Sequence, residues 1–423
     1  FSFFFLFVLN GKTQEVEILT LEDCLRIGID NNLSLEGKRK EIQRSKYGVS
    51  ENRSKLLPQI NAIAGYSNNF DPPVSVTDGS SYGVPYNITQ TLQHSANAGL
   101  EMQMPLFNQT LYTSMSIAKV MEEISRLSYG KAREDVILQI SKMYYLGQVT
   151  AEQIMLIKAN ITRLEELRDI TQAFFDNGMS MEVDLKRVNI NLENLKVQYD
   201  NAQAMMKQQL NMLKYIMDYP AEKEIALTPV NTDSITTVAL TGLSENIYEL
   251  QLSQSQVQLA ERQKKIIANG YIPSLSLTGS WRYAAYTDKG YHWFHSGPSN
   301  QWFRSYGVGL TLRIPIFDGL DKTYKIKKAM IDIKNKRLAW EDARKNLQTQ
   351  YLNAVNDLMN NQRNFKKQKD NYLLAEDVYA VTSDRYREGI ASMTEVLQDE
   401  MQMSEAQNNY ISAHYNYRVT NLM

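Results

Sequence analysis

A single cysteine and four histidines in 423 residues leave little room for disulfide or metal chemistry. Cys24 has no partner within the chain. The Leu21-Glu22-Asp23 ahead of it lacks the small residue expected before a lipidated cysteine, so Cys24 reads as a packed helix residue. No stretch approaches about 18 uninterrupted apolar residues, which excludes a mature transmembrane helix. Neither sign of charge prevails: 46 basic residues against 47 acidic ones leave −1, so nothing steers the chain toward nucleic acid. No Gly-rich phosphate loop, nucleophile elbow or pair of catalytic acids stands out, so neither catalysis nor a cofactor is expected. His292 and His295 share a turn-rich loop without a third ligand nearby, so no metal site is expected either. Hydrophobic residues make up 43% and the mean hydropathy is −0.41, so a large compact core is not demanded.

Proline is the most informative scarcity. None of the ten lies between Pro105 and Pro220 or beyond Pro315. Between residues 107 and 219 glycine occurs only at Gly130, Gly147 and Gly178. Helix is therefore uninterrupted over most of these spans, and at 1.5 Å per residue the piece 117–175 would be roughly 85–90 Å long. After Gly178, the residues Leu185, Val188, Leu192, Leu195, Tyr199, Ala202 and Met206 repeat at 3-4-3-4 spacing, which is a coiled-coil seam. Ile154, Ile157, Ile161, Leu164, Leu167, Ile170 and Phe174 offer the matching stripe upstream. The two helices are expected to pack antiparallel about Asp176-Asn177-Gly178.

Where the prolines do occur, the period changes from 3.6 to 2. After Pro58, Ile60, Ala62, Ala64 and Tyr66 share a face. Ala96, Ala98, Leu100, Met102, Met104 and Leu106 do the same up to Pro105, opposite Glu101 and Gln103. Met102 and Met104 thus read as packing residues rather than Cu(I) ligands. The second half repeats the scheme. Leu275, Leu277, Trp281, Tyr283 and Ala285 face away from Thr278, Ser280 and Arg282, and Tyr306, Val308, Leu310, Leu312 and Ile314 away from Thr311 and Arg313. The segments 99–107 (GLEMQMPLF) and 309–317 (GLTLRIPIF) mark equivalent strand-to-helix passages at Pro105 and Pro315, so the chain reads as one long unit written twice. The repeats span 19–218 and 244–423, with β-hairpins at 59–107 and 273–317, helical turns near 176–180 and 388–392, and a connector at 219–243. Thr20 is a plausible N-cap for the first helix. Residues 1–12 resemble the remnant of an export signal.

Four alternating strands of about ten residues have the length and two-sidedness of transmembrane β-strands. Trp281, Trp293 and Trp302 supply an aromatic girdle. A sheet of four cannot close on itself, and an unpaired backbone group in hydrocarbon costs several kcal/mol, so several chains must share one barrel. Eight strands would be filled by side chains, whereas twelve leave water inside, which suits inward-facing Glu101, Gln103, Arg282, Thr311 and Arg313. Leu100, Met102, Met104, Leu310, Leu312 and Ile314 would face outer-membrane lipid. The competing reading is a soluble periplasmic coiled-coil scaffold with a small, half-buried β domain.

The duplicated order of these signals resembles the TolC-like outer-membrane efflux protein family. The residues that carry the resemblance are LTLEDCLRIGIDNNLSL at 19–35, LLPQI at 56–60, the two strand-to-helix segments, FFDNGMSMEVDL at 174–185, RYREGIASMTEVL at 385–397 and YNY at 415–417. The resemblance implies a mainly α fold with a transmembrane β part: a homotrimer with a twelve-stranded outer-membrane β-barrel and a long periplasmic helical barrel. It also implies a passive duct for efflux or type I secretion, whose turns, at Gly178, Met179 and Asp184 and at Gly389, Ile390 and Ser392, meet a periplasmic adaptor and through it an inner-membrane pump. The acidic residue six positions after the second turn glycine would lie near the periplasmic constriction, and here that residue is Glu395. Three residues on, Gln398 stands where the family carries a second acid, with Asp399 beside it. Glu395 and Asp399 also read as ordinary solvated helix residues.

Overall fold

The computed structural model describes residues 16–72, 74–78, 83, 86–90, 92–229, 246–287 and 302–422. The signal-like stretch 1–12, residues 230–243 of the connector, His292, Trp293 and His295 lie outside the described residues. In chain order the elements are β1 (Glu17–Leu19), α1 (Leu21–Asn31), α2 (Leu33–Ser54), β2 (Gln59–Asn68), β3 (Val74–Asp78), β4 (Tyr86–Gln90), β5 (His94–Phe107), α3 (Gln109–Asp176), α4 (Glu182–Met217), β6 (Ile225–Leu227), α5 (Tyr248–Asn269), β7 (Ser274–Thr287), β8 (Trp302–Arg313), α6 (Asp321–Arg387) and α7 (Met393–Thr420). The fold is mainly α with one principal sheet. Each of the two proline-free spans folds into a long helix followed by a shorter one, α3 and α6 having 68 and 67 residues. The chain divides into two compact units, each drawing on both halves of the sequence.

One unit, Glu41–Arg126 with Leu252–Trp340, contains a four-stranded antiparallel sheet in the order β2-β5-β7-β8. Gly99 permits the central pairing: a Cβ there would lie 2.4 Å from the Trp281 carbonyl oxygen and 2.8 Å from the Arg282 Cα, both backbone atoms that cannot step aside. Two expectations about this unit need correction. Pro105 does not end a strand. β5 runs through it to Phe107, and a register irregularity between Pro105 and Phe107 accommodates the missing N–H. In the second half β8 stops at Arg313, before Pro315, and helix resumes only at Asp321 after Gly319 and Leu320, both at positive φ (66° and 67°). The turn-rich segment between β2 and β5 also contains structure of its own, the antiparallel ribbon β3-β4.

The other unit, Phe1–Lys40, Leu127–Gln251 and Glu341–Met423, holds three apolar clusters. Thr20 caps α1 in a reciprocal box with Asp23, as its position suggested. Cys24 is fully buried beside Leu35, Ile140 and Met217, and burial pushes its thiol up to about 12. β1 and β6 form a parallel pair here, and Tyr144 donates to the Leu19 carbonyl at 3.3 Å. The connector is thus anchored by β6 where irregular chain was expected. A second cluster joins the two coiled-coil stripes read from the sequence. Leu164 and Leu167 of α3 pack with Val188, Leu192 and Leu195 of α4, together with Tyr379, Met393, Val396 and Met403 from the second half.

Candidate functional site

The ladder register sorts the strand residues into two faces. Glu101 lies opposite Ser280 and Gln103 opposite Thr278, while Thr311 and Arg313 lie opposite Ser276 and Ser274. With Arg282, all five residues assigned to a channel lining therefore share one face of the sheet. Arg282 Nη2 donates to Glu101 Oε1 at 2.5 Å across the β5–β7 ladder. The other face carries Leu100, Met102 and Met104, then Leu277, Trp281 and Tyr283, then Val308, Leu310 and Leu312. The Trp281 and Tyr283 rings meet edge-on at 5.4 Å. A face this apolar has no reason to be stable in water. The outer strands β2 and β8 each pair on one side only, leaving two open edges.

The two helical turns share one construction. In the first, Met179 N–H donates to the Phe174 carbonyl at 2.7 Å and Gly178 N–H to that of Phe175 at 2.9 Å. In the second, Ile390 N–H donates to Arg385 at 2.8 Å and Gly389 N–H to Tyr386 at 2.9 Å. Both are Schellman motifs, with the glycines at φ 76° and 75° where a side chain would be strained. Beyond the glycines the two turns differ. Ser392 and Glu395 form a capping box, the Ser392 N–H donating to Glu395 Oε2 at 3.0 Å and the Glu395 N–H to Ser392 Oγ at 3.3 Å. Met181 offers no such cap in the first half, and Asp184 pairs instead with Arg187. Arg187 also donates to Thr394 Oγ1 at 3.3 Å, linking α4 to α7. Met179 and Ile390 project into solvent at 70% and 63% exposure. Glu395 and Gln398 are exposed and Asp399 is half-buried.

The model of the family described as "Outer membrane efflux protein" matches residues 27–217 and 239–422. The chain belongs to that family. The outer membrane protein TolC of Vibrio cholerae is 21% identical over 385 residues, covering 87% of this chain and 81% of the relative. The toluene efflux pump outer membrane protein TtgC of Pseudomonas putida is 23% identical over 417 residues, covering 93% and 78%. The structure of CusC superposes with a TM-score of 0.78 at 16% identity, and the open-state Neisseria gonorrhoeae MtrE channel with 0.75 at 19%. Each covers 95% of this chain, and 90% and 87% of the respective neighbour. The chain is thus an outer-membrane component of an efflux system, and its family consists of channels rather than enzymes. Among the described residues no helix is long and apolar enough to cross a membrane, and no group of three His, Cys, Asp or Glu side chains could hold a metal ion.

This efflux channel protein also has a buried polar seam that the sequence reading missed. Along α7, Met393, Val396, Glu400, Met403, Gln407, Tyr410, His414 and Tyr417 recur at 3-4 spacing and all are buried. Three of the eight are Glu, Gln or His, so a search for apolar residues passes over the repeat. Gln407 and Asn160 exchange amide hydrogen bonds at 2.6 and 3.3 Å. Arg163 donates to Asn160, and to Glu376 at 3.2 Å. Glu152 accepts from Tyr410 at 2.8 Å and meets His414 Nδ1 at 2.9 Å, while Arg418 Nε donates to the other ring nitrogen at 3.3 Å. Burial opposes ionisation of Glu152, but the bonds to His414 and Tyr410 outweigh it and hold its carboxyl below the usual range. Glu400 has the opposite balance: burial raises its pKa and only the Arg163 charge works against the rise. Burial, with Glu400 nearby, pushes the Tyr379 phenol up to about 12.

Proposed function

We propose that three copies of this chain close one twelve-stranded barrel in the outer membrane and continue as a helical duct in the periplasm, through which substrate passes without catalysis. The observation that carries this reading is the four-stranded sheet with two unpaired edges, one face apolar and the other bearing the Glu101–Arg282 pair. Only closure with further copies satisfies its edges in lipid, and twelve strands leave a wet lumen for the charged pair. The turns at Gly178, Met179 and Asp184 and at Gly389, Ile390 and Ser392 then meet a periplasmic adaptor that connects the duct to an inner-membrane pump. The rigid Schellman geometry and the exposed Met179 and Ile390 suit such a contact. Glu395, with Gln398 and Asp399, lines the periplasmic aperture, and opening is a change in helix packing biased by the adaptor.

Fractionation and transport test this together. The protein should require detergent, sediment with the outer membrane at three times the chain mass and restore efflux to a strain lacking its own channel. Met179→Asp with Ile390→Asp should abolish that efflux while the oligomer persists. A freely soluble monomer would overturn the duct, and undiminished efflux in the double variant would overturn adaptor docking at the turns.

A further inference from the structure

α4 and α6 each carry a second apolar stripe, distinct from the one buried within the chain. On α4 it comprises Val183, Ile190, Val197, Met205 and Met212, and on α6 Leu352, Met359, Leu374 and Val381, all of them exposed. The intervals along α4 from Val183 are seven to Ile190, fifteen to Met205 and seven to Met212, and those along α6 read backwards from Val381 are the same: Leu374, Met359, Leu352. Two helices running in opposite directions can therefore bring all four residues of each stripe together in one register. In that register Val197 falls opposite Lys367, whose aliphatic stem can cover it. The flanking charges agree at two levels, where Lys186 stands near Asp377 and Asp200 near Arg363, and Lys186 already pairs with Glu182 at 2.7 Å within the chain. Glu193 meets the like-charged Asp370, but Lys196 already pairs with Glu193 at 2.9 Å within the chain. Asp200, Arg363 and Asp377 make no ion pair within their own chain among the described residues.

We propose that α4 of one copy packs antiparallel against α6 of the next, with Val183, Ile190, Met205 and Met212 seated on Val381, Leu374, Met359 and Leu352. This rests on the oligomeric reading above and supplies what it lacks, the residue-level register of the seam between copies. The occupant is a second copy because the two complementary stripes lie on the same chain, so each copy presents one to each neighbour and the ring closes.

Cysteine pairs test the register, since Cys24 is buried and the unsubstituted protein serves as the blank. The purified detergent-solubilised oligomer of Ile190→Cys with Leu374→Cys, and separately of Met205→Cys with Met359→Cys, is oxidised mildly and run under denaturing conditions. Both pairs should give covalent dimers and trimers, because facing positions bring Cα atoms within disulfide reach of about 4.4–6.8 Å. Ile190→Cys with Lys367→Cys, one heptad out of register, should stay monomeric on the gel. An oligomer of unchanged mass in which neither matched pair cross-links, or in which the offset pair does, overturns the register while leaving the oligomer standing. A monomer before oxidation overturns both.

Discussion

Glu395 has two jobs in competition, and the capping box shows how to separate them. Its carboxylate accepts from the Ser392 N–H and so fixes the start of α7. Removing it by Glu395→Ala should cost about 0.3–1 kcal/mol of local stability, the usual value of a carboxylate in the first turn of a helix. Glu395→Gln keeps an acceptor in the same place and removes only the charge. If Glu395 lines the aperture, the Gln variant should keep the thermal stability of the parent yet change cation preference in planar bilayers. A Gln variant with an unaltered single-channel record removes Glu395 from the gate. Glu400 gives a second test at this scale. Burial raises its folded pKa, so on raising the pH the unfolded chain gives up its proton first and stability is lost as pH climbs through the folded value. Glu400→Gln should accordingly melt above the parent at neutral pH, with the difference fading as the pH falls to the ordinary carboxylate range. A lower melting point at neutral pH would mean that Glu400 is ionised and paired in the folded protein.

Among the elements, the strands give the sharpest contrast between the two faces. Leu310 lies opposite Leu277 on the apolar face of β8, so Leu310→Arg should cost about 2–4 kcal/mol per copy near the bilayer midplane and reduce the assembled oligomer recovered from the outer membrane. Thr311→Arg, one residue along on the other face, should assemble normally. Equal recovery of the two variants would reverse or abolish the assignment of faces. These faces were legible in the sequence because period 2 over ten or more residues cannot be mistaken, and the long helices because a proline-free span with heptad spacing has few alternatives. β1 and β6 were not legible. Three residues are too short to show a period, and their pairing joins residues more than two hundred positions apart. Pro105 misled for a related reason: its geometry is compatible with strand, helix start and bulge, and only the partner strand decides. The turns at Gly178 and Gly389 were located from their glycines, the stripes that flank the first and the resemblance of both segments, but the difference between them, a capping box in one and none in the other, depended on side-chain geometry.

For the whole molecule, the decisive quantity is what the polar face of the sheet encloses. Two copies would give eight strands whose interior is packed by side chains, and Glu101 with Arg282 would then be a buried ion pair needing every remaining donor and acceptor satisfied. The pair is about half exposed on its face, which suits water. Three copies place three Glu101–Arg282 pairs at one level of a wet lumen, where each is worth little to stability but sets the local field. Arg282→Ala should therefore leave the oligomer intact and expose three uncompensated carboxylates, shifting the reversal potential of single channels under a salt gradient toward cation preference. Glu101→Ala should shift it the opposite way, and the double variant should return near the parent. Both shifts should shrink as ionic strength rises and the screening length falls to a few ångströms. Single variants whose reversal potentials match the parent would take this face out of the conduction path. Loss of assembly in either would instead favour the packed, eight-stranded barrel.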